Sequence, residues 1–281
     1  MPEPNTSGML LAIDVGNTQT VLGLFDPERP SEDLRGLVHH WRVATVDDRT
    51  ADEHALLVAQ LLELEGLQAF RCVEGLAVAS SVPRVTAALR EMAQRRFVDS
   101  PIVIVEPGVR TGVSILYDNP KEVGADRIAN AVAAFDLYGG PCIVVDLGTA
   151  TTLDAISPSG EYLGGAIVPG VEISLDALFE HAAALRRVEL VAPRSVIGKS
   201  TVESMQSGAV FGFAAQIDGL CERFERVLGK SAIVATGGLA ELIAPLSERV
   251  QHREPWLTLH GLRLIYQRNA GASHPPGPHP L

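Results

Sequence analysis

The chain has 281 residues, 46% of them hydrophobic and 20% charged, with a formal net charge of −11. That length suits one large domain or two smaller ones with a sizeable core. The acidic balance argues against a nucleic-acid-coating protein, which carries a basic face, and no apolar run approaches the ~18 residues that span a bilayer. Cys72, Cys142 and Cys221 are isolated and far apart, so neither a disulfide framework nor a zinc site is implied, and a cytoplasmic, reducing setting is expected.

Residues 1–8 lack a basic stretch followed by an apolar one, so no secretory leader is expected; they read either as a disordered extension or as sequence ahead of a true start at Met9. Residues 10–15 and 21–25 are apolar runs joined by the polar turn 16–20, which predicts a hairpin. The turn region carries Asp14, Gly16, Asn17, Thr18 and Thr20. Glycine lets a bulky anion approach the backbone, and N–H groups and hydroxyls donate to phosphate oxygens. Asp14 has the wrong sign for phosphate and the right one for the Mg²⁺ that travels with it. An ordinary capped turn has the same composition, so a second copy of the motif is the discriminating observation.

A third strand is expected over 37–43, a helix over 55–67 entered through the acidic stretch 47–53, a strand over 76–80, a helix over 83–97 opened by Pro83, and a strand over 102–105. Residues 107–124 show no period; a long structureless stretch of this kind is usually functional or disordered. A helix over 126–138 follows, ended by Gly139, Gly140 and Pro141.

The opening pattern then returns. Residues 142–156 read strand, tight polar turn, strand, and Asp146, Gly148 and Thr149 take the places of Asp14, Gly16 and Asn17, 132 residues on. A strand over 161–168, helices over 169–184 and 201–228, a strand over 232–235, the run Thr236-Gly237-Gly238, a helix from Leu239, a short strand over 257–259 and a helix over 262–267 complete the order. Residues 271–281, rich in proline, read as a disordered tail. The second half thus repeats the first, which is the strongest architectural signal here.

These motifs resemble the superfamily of acetate and sugar kinases, heat-shock chaperone ATPases and actin. In detail the chain is similar to the type III pantothenate kinase family. The matching stretches are 14–18, 118–127 with its Gly124-Ala125-Asp126-Arg127 run, 146–150, 164–170, 200–208 and 257–262. The resemblance implies an α/β fold of two duplicated actin-like, ribonuclease H-like domains, 1–118 and 119–281, with a nucleotide cleft between them. It implies ATP-dependent phosphorylation of pantothenate to 4′-phosphopantothenate, the first step of coenzyme A biosynthesis. Asp14, Val15, Gly16, Asn17, Thr18, Gln19, Thr20 and Val21 would form the ATP phosphate loop, with Asp14 on Mg²⁺ and Thr149 touching ATP. Asp126 would be the general base. Tyr117, Gly124, Ala125, Asp126, Arg127 and Thr201 would line the pantothenate pocket. Asp146 would bind the monovalent cation, potassium or ammonium. The resemblance further implies a homodimer, with the helix over 201–228 as the expected interface, and no nucleic-acid or membrane partner. The family often has a proline where this chain has Arg186, a departure that leaves the chemistry intact.

Read without the family, Asp126 is a helix-start acid that favours the dipole, and Arg127 is either a fork for a carboxylate or a surface ion pair. Asp146 fits a second Mg²⁺ as well as potassium. Residues 197–201 mimic the end of a P-loop, but Pro193 stands where that motif needs glycine. A non-catalytic regulator on the same scaffold and a sugar kinase are the rival readings; intact hairpins and Asp126 disfavour the first, and the 118–127 segment disfavours the second.

Overall fold

The computed structural model describes residues 8–27, 36–68, 70–98, 100–182 and 185–270. The expected tail and nearly all of the expected N-terminal extension lie outside the described residues, as do residues 28–35.

Two compact units form. The first holds the residues up to 112, 124–129 and those from 258 onward; the second holds 113–123 and 130–257. The chain from residue 258 onward returns to the first unit.

In the first unit, β1 (Met9–Val15) lies between β2 (Gln19–Phe25), antiparallel, and β4 (Val73–Ser80), parallel. β3 (Leu37–Ala44) and β5 (Ile102–Ile104) form the edges, giving the order β3-β2-β1-β4-β5. A central strand covered on both faces needs a continuous apolar run rather than alternation, and Leu11, Ala12 and Ile13 are each at most 1% exposed. The helix α1 (Ala51–Leu64) starts on a capping box: the Thr50 hydroxyl accepts the Glu53 N–H, and the Glu53 carboxylate accepts the Thr50 N–H at 2.7 Å. Glu53 is thereby explained as a cap. The helix α2 (Pro83–Arg96) opens on proline, whose missing N–H costs nothing at that position. Leu11, Ile13, Val58, Leu62, Leu76, Leu89 and Met92 belong to the core of this unit.

The second unit repeats the arrangement. β6 (Cys142–Leu147), β7 (Ala150–Ile156) and β8 (Tyr162–Pro169) meander, β9 (Ala232–Thr236) pairs parallel to β6, and β10 (His252–Arg253) pairs parallel to β9. The order β10-β9-β6-β7-β8 is that of the first sheet read from its other edge. The duplication expected from the two hairpins is thus a duplication of whole sheets. The helices α4 (Val171–His181), α5 (Thr201–Leu228) and the short α6 (Ala240–Ile243) belong to this unit, while α3 (Ala125–Tyr138) has residues 125–129 in the first unit and the rest in the second.

One expected element is corrected. Residues 257–259 form no strand but the first turn of α7 (Leu257–Ala270). Leu259, Leu262 and Ile265 are buried at helical spacing, so the three-residue apolar run belongs to a longer period of 3.6. α7 lays Leu259 against Gly23 and the Tyr266 ring against Gly75, and Asn269 exchanges hydrogen bonds with the backbone of Arg110. At Gly261 a Cβ would stand 1.9 Å from the Ala129 carbonyl oxygen, so only glycine lets α7 meet α3.

Candidate active site

The first hairpin turns beyond the Val15–Thr20 pair, and the Gly16 N–H closes it on the Gln19 carbonyl at 3.0 Å. Asn17, Thr18 and Gln19 are exposed, Asp14 is half-buried and Thr20 is buried. The tip therefore presents an amide, a hydroxyl and backbone to solvent, with a carboxylate behind them. Arg42 on the edge strand donates to the Gln19 side-chain oxygen at 2.8 Å, which ties one tip residue to β3. Thr45 bonds to the turn at three points and had no signal in the sequence beyond being polar after an edge strand.

Also in the first unit, Gly124, Ala125, Asp126 and Arg127 sit at the start of α3. Asp126 is half-buried, and its Oδ1 accepts the Arg127 N–H at 2.9 Å. Its Oδ2 has no hydrogen-bond partner among the described residues. A Cβ on Gly124 would lie 2.4 Å from Asp126 Oδ1, so a side chain there would displace the carboxylate. Arg127 is only 8% exposed, which removes the surface ion-pair reading.

In the second unit the turn beyond the Leu147–Thr151 pair is closed by the Gly148 N–H on the Ala150 carbonyl at 3.1 Å. Asp146 lies on the strand before it. Its Oδ2 accepts from the Asn130 amide of α3 at 3.0 Å. Gly237, with φ +93°, passes so close that a Cβ would lie 2.5 Å from Asp146 Oδ1. At residue 237 both the left-handed backbone and the close approach require glycine. Asn130 was not anticipated, although it stands one turn after Asp126 and interrupts an otherwise apolar helix face. Thr149 presents its carbonyl to Gly170, the residue before α4.

Residues 114–117 run beside β8: Leu116 donates its N–H to the Tyr162 carbonyl and Tyr162 donates to the Ser114 carbonyl, both at 2.8 Å. The Tyr117 ring is thereby laid over Gly164, 3.4 Å from where a Cβ would be. Asp154 is fully buried and accepts the Tyr162 hydroxyl at 2.7 Å. Thr201 opens α5 after its Ser200 cap and lines an apolar groove of about 410 Å³ with Ser174, Leu178 and Met205. The groove includes no other expected site residue.

Among the described residues no group of three or more His, Cys, Asp or Glu is placed to hold a metal ion. A Mg²⁺ bound by one carboxylate, substrate phosphates and water needs no such group, and Asp14 behind the exposed tip fits that donor set. The cysteines are free and buried, with burial pushing the Cys142 and Cys221 thiols up to about 12. That suits core packing rather than nucleophilic chemistry.

Two sheets of order 3-2-1-4-5, each opening on an Asp-x-Gly hairpin, define the two-domain ribonuclease H-like fold of the actin-like kinases. In solved structures the same fold is seen in a protein described as a Baf family transcriptional activator from Campylobacter jejuni (TM-score 0.57, 18% identity, 92% of this chain and 98% of that one). It is seen again in the inorganic polyphosphate/ATP-glucomannokinase of an Arthrobacter strain (TM-score 0.50, 15% identity, 94% and 100%). Identities this low speak for the fold alone. Sequence comparison is more specific: the type III pantothenate kinase pattern matches residues 10–223, and the type III pantothenate kinase of Streptomyces griseus is 56% identical over 268 residues, 93% of this chain and 98% of that protein. The chain belongs to the type III pantothenate kinase family.

Proposed function

We propose that the chain carries out its family's reaction with ATP as donor and Asp126 as general base. The pantothenate 4′-hydroxyl oxygen attacks the γ-phosphorus, the bond from that phosphorus to the leaving ADP breaks, and the hydroxyl proton passes to Asp126. The observation that carries this reading is the state of the Asp126 carboxylate: one oxygen is anchored by the Arg127 N–H and the other has no hydrogen-bond partner among the described residues. A base must be held within reach of its proton and still have a lone pair to offer. Arg127, buried beside it, supplies a planar fork suited to the substrate's carboxylate. Gly124, Ala125, Tyr117 and Thr201 are the further pocket residues in this reading.

Asp14, Val15, Gly16, Asn17, Thr18, Gln19, Thr20 and Val21 form the phosphate loop, and Thr149 contacts the nucleotide. Phosphoryl transfer rests on positioning and charge neutralisation, and Mg²⁺ bound through Asp14 supplies the latter. Asp146 holds the monovalent cation, potassium or ammonium; its fixation by Asn130 favours a dedicated ion site. The chain acts in the cytoplasm as a homodimer through α5. In support of the dimer, Val202 is 47% exposed on α5, and Gly208 and Gly212 open onto space where no atom lies within 4 Å of a Cβ.

The test is a coupled ADP-release assay on the purified chain with ATP and Mg²⁺. Turnover is expected with pantothenate and potassium, a lower rate with sodium, and none with glucose or N-acetylmannosamine as acceptor. Absence of turnover with pantothenate under every cation overturns the reading. Light scattering after size exclusion checks the dimer.

A further inference from the structure

The two hairpins are propped from equivalent places. At the end of the second sheet's meander Pro169 pairs with Ala150; at the end of the first, Ala44 pairs with Gln19. The next residue is Gly170 in one and Thr45 in the other. Gly170 props its hairpin by contact: a Cβ would lie 2.1 Å from the Thr149 carbonyl oxygen and 2.8 Å from that of Gly148. Thr45 props the first hairpin by hydrogen bonds. Its hydroxyl donates to the Gly16 carbonyl at 2.7 Å, and its N–H donates to the Thr18 carbonyl at 3.0 Å. The Thr20 hydroxyl lies 2.8 Å from the Thr45 hydroxyl. A threonine hydroxyl has one proton. Since Thr45 commits it to Gly16, Thr20 is the donor of the third bond.

The difference has a reason in the turns. The first spans residues 16–19 beyond its last strand pair and the second 148–150, so the first has one residue more. An extra turn residue adds backbone freedom that must be lost when an anion is bound. Thr45 removes it beforehand by fixing the carbonyls of Gly16 and Thr18.

We propose that Thr45 is a positioning residue for phosphoryl transfer: it acts through Gly16 and Thr18 and holds the turn in the shape that receives the nucleotide phosphates. The proposal rests on the reading of this hairpin as the phosphate loop. Donors fixed in advance bind without reorganisation, so the effect falls on nucleotide rather than on pantothenate.

Thr45→Val keeps the shape and removes the hydroxyl, Thr45→Ser keeps the hydroxyl, and Thr45→Ala repeats the test should the valine variant fold poorly. Loss of the clamp is expected to raise the KM for ATP roughly 5- to 10-fold, the worth of about one hydrogen bond, with the KM for pantothenate unchanged. Serine should restore the ATP value to within about twofold. A fall in melting temperature with both KM values unchanged, or a rise common to both substrates, overturns the proposal. Calorimetric titration of Thr18→Ala with a non-hydrolysable ATP analogue separates the two readings. If Thr18→Ala loses affinity and Thr45→Val does not, the Thr45 proposal alone falls. If Thr18→Ala keeps wild-type affinity, the phosphate-loop reading falls and the proposal with it.

Discussion

The amide of Asn130 donates to Asp146 Oδ2 at 3.0 Å, and Asn130 stands one helical turn after Asp126 on α3. One helix thus carries both the expected base and the group that orients the expected ion ligand. Asn130 is fully buried, so its amide cannot turn to water in place of the carboxylate. With the amide gone, the Asp146 carboxylate keeps its charge and loses its aim.

Outer partners of ion ligands are typically worth about 10- to 100-fold in ion affinity. Asn130→Ala is therefore expected to raise the potassium concentration for half-maximal activity by about that factor. Asn130→Asp should do worse than alanine, since a second carboxylate beside Asp146 disfavours ionisation of both. Activity titrated against potassium chloride at constant ionic strength reads the effect. A destabilised protein with an unchanged potassium midpoint assigns Asn130 to packing alone.

The Gly124–Asp126 contact yields a second expectation. Asp126→Asn removes the lone pair that takes the proton and should lower kcat by about 10²- to 10⁴-fold while nucleotide still binds. Gly124→Ala places a methyl 2.4 Å from Asp126 Oδ1. The carboxylate is the end of a flexible side chain, so it swings aside at little cost to the fold. The expected result is a kcat reduced on the order of tenfold or more with the melting temperature nearly unchanged. Wild-type kcat in Asp126→Asn would remove Asp126 from the mechanism.

What the sequence shows of the candidate site is its local chemistry. At Gly16 and Gly124 a Cβ would come 3.1 Å from the Gln19 carbonyl oxygen and 2.4 Å from Asp126 Oδ1. The repeat of Asp14 at Asp146 exposed the duplication before any strand was paired. Thr45 and Asn130 escaped because their roles exist only in three dimensions: one reaches a turn 29 residues earlier, the other a strand 16 residues later. The misread run at 257–259 has the same origin. Three residues cannot distinguish a period of 2 from one of 3.6, and contacts with Gly23 and Ala129 decide for helix.

His54 gives the last expectation, on pH. It is 6% exposed in α1, its Nε2 has no hydrogen-bond partner, and it lines a void of about 10 Å³ with Thr20, Thr45 and Val58. Burial is the main cause that holds its pKa below the ordinary value near 6.5; the Arg49 charge acts in the same direction, and Glu53 opposes it. The folded chain therefore binds a proton less readily than the unfolded chain. Its contribution to stability is complete above about pH 6.5 and is lost as pH falls towards the depressed folded value, because the unfolded state then takes up more protons. Melting temperature should decline from pH 7.5 to 5, and His54→Leu, which cannot titrate, should decline less over that interval. Parallel curves for the two proteins would assign the acid sensitivity to other groups. The same titration followed by nucleotide affinity tests whether protonation beneath the first hairpin is felt at its tip: the void is shared by His54, Thr20 and Thr45, so charging His54 should weaken ATP binding before the fold is lost, and His54→Leu should abolish that early loss.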